Sequence, residues 1–356
     1  MTTSPRRALA LTALVVALAA CVSVSPTTAS SGQPPQPLYW GAVIGTQLTG
    51  EAAPWDIRAV YKFEQAAHKG ISLLSFSSPF ADCSSSPCSY FPFPTAEMEV
   101  LRQQGIIPFL SWAAQSVPSS VNEPRFRLAS VIRGEYDSYI RRFAEAAREW
   151  GHPFFLRFDP EMNGFWFPWS EGVNRNRPGQ FVAAWRHVHD IFTSVGATNA
   201  TWVWCPNVDF AGKLTPLSRL YPGNEYVDWT CLDGFNWGKT ANSSGWMSFN
   251  RIFRSTYNQV LRLAPSKPMV IGETASEERG GSKRAWIRDA LGAIPSTYPA
   301  IRGFIYYDEK NQQMNWPIGS SRSATRAFAR GIQRTAYQPN LYSELSTSPI
   351  GPPTWP

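Results

Sequence analysis

Histidine is scarce, four in 356 residues, and none stands in the Cys/His spacing that a zinc site needs. His187 and His189 lie two apart in a helical pattern, where their side chains diverge. There is no Cys-x-x-Cys either, so no metal is expected. The chain also lacks a Gly-x-Gly-x-x-Gly opening a helix after a strand, a Walker sequence and a Gly-x-Ser-x-Gly. Those absences exclude the usual nucleotide-binding and serine-hydrolase readings, and no cofactor is expected. The formal charge of +7 is spread without a Lys/Arg block, which argues against nucleic acid as a partner. Long apolar runs are missing as well. The one stretch of that kind, Ala8 to about Ala20 after Arg6 and Arg7, is too short and too N-terminal to span a membrane.

That stretch reads as an export signal over residues 1–21. Leu18-Ala19-Ala20-Cys21 matches the pattern of a bacterial lipoprotein, which would leave Cys21 lipidated and the chain attached to the membrane. Thr27-Thr28-Ala29 offers ordinary cleavage, and both routes stay open. Either way the protein is expected outside the cytoplasm, secreted or anchored at a bacterial cell envelope, and as a monomer. A Ser/Thr/Pro-rich linker follows over 22–37, then one domain over 38–336, and a Pro-rich tail over 337–356. Export permits disulfides. Cys83 and Cys88 flank a turn, DCSSSPCS, that a bridge would pin, while Cys205 and Cys231 lie in apolar runs, as partners or as buried free thiols.

What the chain does have is apolar and aromatic residues, 43% and 14%, with 15 tryptophans. Eight short apolar runs recur, at 39–44, 71–78, 106–112, 153–160, 201–207, 231–237, 268–275 and 301–309, most of them followed by a helical pattern. Near-continuous apolarity suits parallel strands covered on both faces. Eight such units predict an α/β fold, a single-domain (β/α)8 TIM barrel. Stripes such as Phe181, Trp185, Val188 and Phe192 fall on one helical face. Gly70, Gly105, Gly151 and Gly196 sit where C-terminal helix caps are expected.

In such a barrel the active site lies where the strands end. Glu161 follows the fourth run and Glu273 ends the seventh, so the two carboxylates can face each other across the mouth. Cleaving a glycosidic bond needs such a pair, one to protonate the leaving oxygen, the other to attack the anomeric carbon or activate water; a separation of about 5 to 5.5 Å makes attack direct. Arg157, four residues before Glu161, can hold a carboxylate ionised or pair with Asp159. Glu277 and Glu278 in the loop SEERGGSKR are expected to be solvated.

Arg157, Pro160-Glu161-Met162-Asn163-Gly164 and Trp166 resemble the strand-four signature of glycoside hydrolase family 26, and Ile271-Gly272-Glu273 resembles its strand-seven motif. Trp202 to Asn207 is similar to its strand-five segment, and the resemblance runs from Tyr39 to about Ile332. It implies a retaining mechanism, with Glu161 as acid/base and Glu273 as nucleophile, acting mostly on β-1,4-mannans. Arg157, Asn163, Trp166, Asn207, Asn236, Trp237 and Tyr306 are the expected substrate contacts, Trp237 and Tyr306 as aromatic platforms. Trp169 is read as either a subsite wall or a hydrophobic plug. Two positions depart from the family pattern: Pro160 stands where histidine is usual, and Phe235 where tyrosine would hydrogen-bond the nucleophile. The expected activity is that of a secreted endo-β-glycanase on a polysaccharide, β-1,4-mannan first. β-1,3-Xylan, mixed-linkage β-glucan and bacterial exopolysaccharide are alternatives, as are a non-hydrolytic glycan-binding barrel and a glycan transferase.

Overall fold

The computed structural model describes residues 35–209, 214–240, 245–310 and 314–355. The export signal, Cys21 and the linker up to Pro34 lie outside the described residues, as does Pro356.

Eight parallel strands form the barrel: β1 (Leu38–Ile44), β2 (Leu73–Asp82), β3 (Ile107–Val117), β4 (Phe154–Phe158), β5 (Ala200–Trp204), β6 (Trp229–Asp233), β7 (Met269–Thr274) and β8 (Ile301–Asp308). Each pairs with the next, and β1 closes the ring by pairing with both β8 and β2. The eight expected runs thus become eight strands, with shifted ends. Eight α-helices occur among the described residues: α1 (Ile57–Ala67), α2 (Thr95–Gln103), α3 (Leu128–Ile132), α4 (Asp137–Trp150), α5 (Gln180–Ser194), α6 (Phe249–Leu263), α7 (Lys283–Thr297) and α8 (Arg322–Ile332). They are not evenly shared. β3 is followed by two, whereas the described residues after β5 hold only a 3-10 turn at Leu217–Arg219.

Local chemistry explains the helix ends. Asp56, Ser248, Ser282 and Ser321 each accept a hydrogen bond from a backbone N–H in the first turn of α1, α6, α7 and α8. Gly105, Gly151 and Gly196 take positive φ after α2, α4 and α5. Gly70 does not. The left-handed cap of α1 is His68, at φ 56°, and Gly70 instead stands against the Asn340 side chain, where a Cβ would lie 2.0 Å from its oxygen.

Strand parity divides the interior. On β1, Leu38, Trp40, Ala42 and Ile44 face the helices, while Tyr39 joins Leu73, Ile107, Phe109, Phe155, Trp229 and Ile305 in an inner cluster. Continuing each inward row toward the strand ends reaches Ser75, Ser111, Arg157, Asp233 and Tyr307. The lumen therefore turns from apolar to polar along its own axis.

The tail is part of this packing. Tyr337 and Gln338 pair with β1, and Leu341, Tyr342 and Ile350 join the inner cluster. The Ile350 N–H donates to Thr201 Oγ1 at 2.8 Å, and Trp229 Nε1 donates to the Ile350 carbonyl at 2.7 Å. A domain boundary drawn at Ala336 by proline content therefore cuts through one compact unit running from Pro35 onward. Cys83–Cys88 and Cys205–Cys231 are both disulfides, which resolves the second pair in favour of a bridge between neighbouring strands.

Candidate active site

Glu161 and Glu273 line one cavity of ≈ 360 Å³ at the C-terminal ends of the strands, together with Arg157, Asp233 and Tyr307. Glu161 is set by an unusual turn. Asp159 and Glu161 both take positive φ, 41° and 55°, a region that non-glycine residues seldom adopt. The Glu161 N–H donates to the Cys205 carbonyl at 2.7 Å and the Asp159 N–H to that of Trp112 at 3.0 Å, so β3 and β5 both hold the turn. The Asp159 carboxyl is fully buried and accepts from the Ala114 N–H at 2.7 Å; burial pushes its pKa well above the ordinary carboxylate range. It is no partner of Arg157.

The Glu161 carboxyl accepts from Trp166 Nε1 at 2.6 Å and from Asn207 Nδ2 at 2.7 Å. Gly164 makes the first of these possible, because a Cβ there would fall 2.5 Å from the Trp166 ring. Asn207 is itself clasped by Asn163, whose side chain donates to the Asn207 carbonyl and accepts from its N–H, both at 2.8 Å. Burial, and after it the charge of Glu273, raises the Glu161 pKa to about 7, while the two hydrogen bonds and Arg157 act in the opposite direction. A carboxyl with a pKa of about 7 is present in both protonation states near neutral pH, so it can give a proton and take one back.

Glu273 is aimed by a break in register. Asp233 is paired with Glu273 although Leu232 is paired with Ile271, so Gly272 is the extra residue. Thr274 then turns away and donates to the Gly234 carbonyl at 2.6 Å. No side chain fits at position 272, where a Cβ would lie 2.4 Å from Cys231 Sγ and 2.7 Å from Asp233 Oδ1.

Arg157 links these parts. Its buried guanidinium donates from Nε to Ser111 Oγ at 2.8 Å, from Nη1 to Asp233 Oδ2 at 2.8 Å and from Nη2 to Glu273 Oε1. Burial opposes its charge, but Asp233 and then Glu273 more than offset that and hold it above its usual range. Asp233, which the sequence did not single out, is pushed up by burial and pulled down by Arg157. Its only signal was its place at the end of an apolar strand. Cys205, Cys231 and Asp233 form the one close group of metal-ligand type among the described residues. The two sulfurs are bonded to each other and the carboxylate to Arg157, which leaves that group without thiolates.

Other expected contacts are placed differently. Tyr306 is buried, packs on Phe328 and donates to the Trp316 carbonyl at 2.9 Å, because β8 parity turns it outward. Tyr307 is the tyrosine facing the cavity. Asn236 has no exposed surface; it donates to Ser276 Oγ and accepts from the Met247 N–H. Neither is available as a sugar contact. Trp237 is exposed on the rim, against Phe235 and Trp316, and does not line the cavity. Trp169 is a plug, stacked on Phe167 and bonded to the Pro160 carbonyl, although its edge reaches the cavity. Glu277, expected in solvent, is buried and accepts from the Asn315 N–H at 3.0 Å.

The glycosyl hydrolase family 26 model matches residues 113–306. Endoglucanase H of Acetivibrio thermocellus is 36% identical over 229 residues, 63% of this chain and 25% of that protein. The β-1,3-xylanase TXYA of a Vibrio species is 27% identical over 128 residues, 33% of this chain and 25% of its own. The chain thus spans about a quarter of each of these relatives. Among solved structures, the Bacillus subtilis mannanase BCman superposes with a TM-score of 0.63 at 16% identity, covering 91% of this chain and 92% of the mannanase. A Cellulomonas fimi endo-β-1,4-mannanase double mutant gives 0.65 at 16% identity, covering 87% of this chain and 73% of that one. At such identities the likeness is one of fold.

Proposed function

Since the chain belongs to glycosyl hydrolase family 26, we propose that it is an exported, monomeric, retaining endo-β-glycanase whose first substrate is a 1,4-linked or mixed-linkage β-glucan. The observation that carries the chemistry is the pairing, in one cavity, of a Glu161 carboxyl with its pKa raised to about 7 and a Glu273 carboxylate bonded to Arg157. Glu161 donates its proton to the glycosidic oxygen as the bond to the anomeric carbon breaks. Glu273 attacks that carbon and becomes an ester, and the aglycone leaves with the proton. Esterification removes the Glu273 charge, and with it part of what raised the Glu161 pKa. Glu161 then takes a proton from water, whose oxygen attacks the same carbon and frees Glu273.

Two observations favour glucan over mannan. The 36% identical relative is an endoglucanase, whereas the mannanases above share only 16%. Pro160 and Phe235 also depart from the usual pattern of a family that the resemblance describes as acting mostly on β-1,4-mannans. β-1,4-Mannan is the second reading, favoured by the Arg157, Glu161 and Trp166 motif. Incubation with mixed-linkage β-glucan, carboxymethylcellulose, glucomannan and β-1,3-xylan tests the proposal, with reducing ends measured for wild type and for Glu161→Ala and Glu273→Ala. Fast release from a β-glucan, lost in both variants, is expected. Faster release from glucomannan would move the substrate to mannan, and no release from any polymer would refute the hydrolase reading.

A further inference from the structure

Among the described residues, the cavity is lined mostly from one side of the ring. From Glu273 on β7 its lining runs through Tyr307 and Glu309 at β8, the β1 end and the loop after it, Ser75 to Pro79 on β2 and Ser111, Ala113 and Gln115 on β3, then returns to Glu161. No residue of β5 lines it, and from β6 only Asp233 does. Among the described residues, the β5 and β6 side carries the Asn163–Asn207 clasp and Phe235 packed on Trp316, ring centres 5.1 Å apart. Trp55, in the loop between β1 and α1, lines the other half. Its ring meets Phe76 at 5.9 Å and 89°, which fixes the indole, yet 49% of the residue stays exposed. An exposed tryptophan held against Phe76 in a cavity lined by small hydroxyl side chains has the form of a sugar platform, an apolar face flanked by hydrogen-bonding groups.

We propose that the glycone part of the substrate lies over β8, β1 and β2, with Trp55 as the platform under its distal sugar. The inference rests on the retaining reading above. In that mechanism the sugar joined to Glu273 is the glycone, and the leaving group departs on the Glu161 side. Going round the ring from β7 through β8 to β1 leads from Glu273 to Trp55 without passing Glu161. The aromatic residues of the Glu161 loop, Phe165 and Trp166, are left for the aglycone. Binding is thereby concentrated on the glycone side, and Trp55 acts as a specificity-determining residue for glycone length.

Trp55→Ala, Trp55→Phe and, as an exposed tryptophan on the tail, Trp355→Ala are to be compared with wild type on mixed-linkage β-glucan and on 4-nitrophenyl glycosides carrying one or three β-1,4-linked glucose units. Trp55→Ala is expected to raise KM about tenfold on the polymer and the three-unit glycoside, the scale of one aromatic contact. Its kcat stays near wild type, the one-unit glycoside is unaffected, Trp55→Phe recovers most of the loss and Trp355→Ala changes nothing. An unchanged KM on the longer substrates, or an equal loss on the one-unit glycoside, overturns the inference and leaves the hydrolase reading intact. Wild type inactive on polymer and glycosides alike overturns both.

Discussion

The two mouths of the barrel are built from the same inward-facing rows and reach opposite ends. At the N-terminal mouth Tyr39, Leu73, Ile107, Phe155 and Trp229 pack against one another, and the tail closes over them with Leu341, Tyr342 and Ile350. Toward the C-terminal mouth the inward rows go on to Arg157, Asp233 and Tyr307, beside two residues of positive φ and an open cavity. The closed end buries apolar surface without needing charge. The open end keeps four ionisable groups in close contact, an arrangement that costs stability and is tolerated because the rest of the barrel over-determines it. On the proposed reading, binding and catalysis are separated from stability along one axis of the barrel.

The largest expected effect breaks the open end alone. Glu161→Gln should lower kcat by about 10²–10⁴-fold, the usual scale of a general acid. Its thermal stability should move the other way. A carboxyl whose pKa is raised on folding stabilises the fold below its unfolded pKa and loses that contribution as pH rises through about 7. Removing it therefore gives a higher Tm than wild type at pH 8 and little difference at pH 4, by calorimetry.

The converse change breaks the closed end. Ile350→Ala should cost about 2–5 kcal/mol, as large-to-small changes in packed cores do, measured by denaturant unfolding. The kcat of the folded fraction should stay at the wild-type value. A fall in kcat at unchanged stability would contradict the separation of the two mouths.

A smaller effect sharpens the comparison from within the open end. Burial comes first and the Glu273 charge second in raising Glu161. In Glu273→Gln the Glu161 titration, followed by carbon NMR of labelled carboxyls, should shift down from about 7 yet stay above the model-peptide value. A titration unmoved by the change would remove Glu273 as a cause.

The barrel was legible because parallel strands covered on both faces are apolar throughout, and the two glutamates stood out because each ended such a run. What the sequence hid was direction. Tyr306 and Tyr307 are adjacent and chemically alike, and only the register of β8 against its neighbours decides which one enters the lumen. Asp233 reads in the sequence as a plain strand end, because its partner Arg157 lies 76 positions away and meets it only in the fold. Asn236 and Glu277 have the composition of loop residues, but their loops fold back on neighbouring segments and bury them. The tail carries prolines that suggest an extended linker. Proline does not prevent burial of the residues between, and Ile350 is 2% exposed.

The most direct test is to trap the intermediate. The wild type is incubated with a dinitrophenyl 2-deoxy-2-fluoro-β-cellobioside, and peptides are mapped by mass spectrometry. One fluorosugar per chain on the peptide containing Glu273, with release of one equivalent of dinitrophenol, is the predicted result. An adduct on another residue, or turnover of β-glucan with inverted configuration and no adduct, would contradict the account.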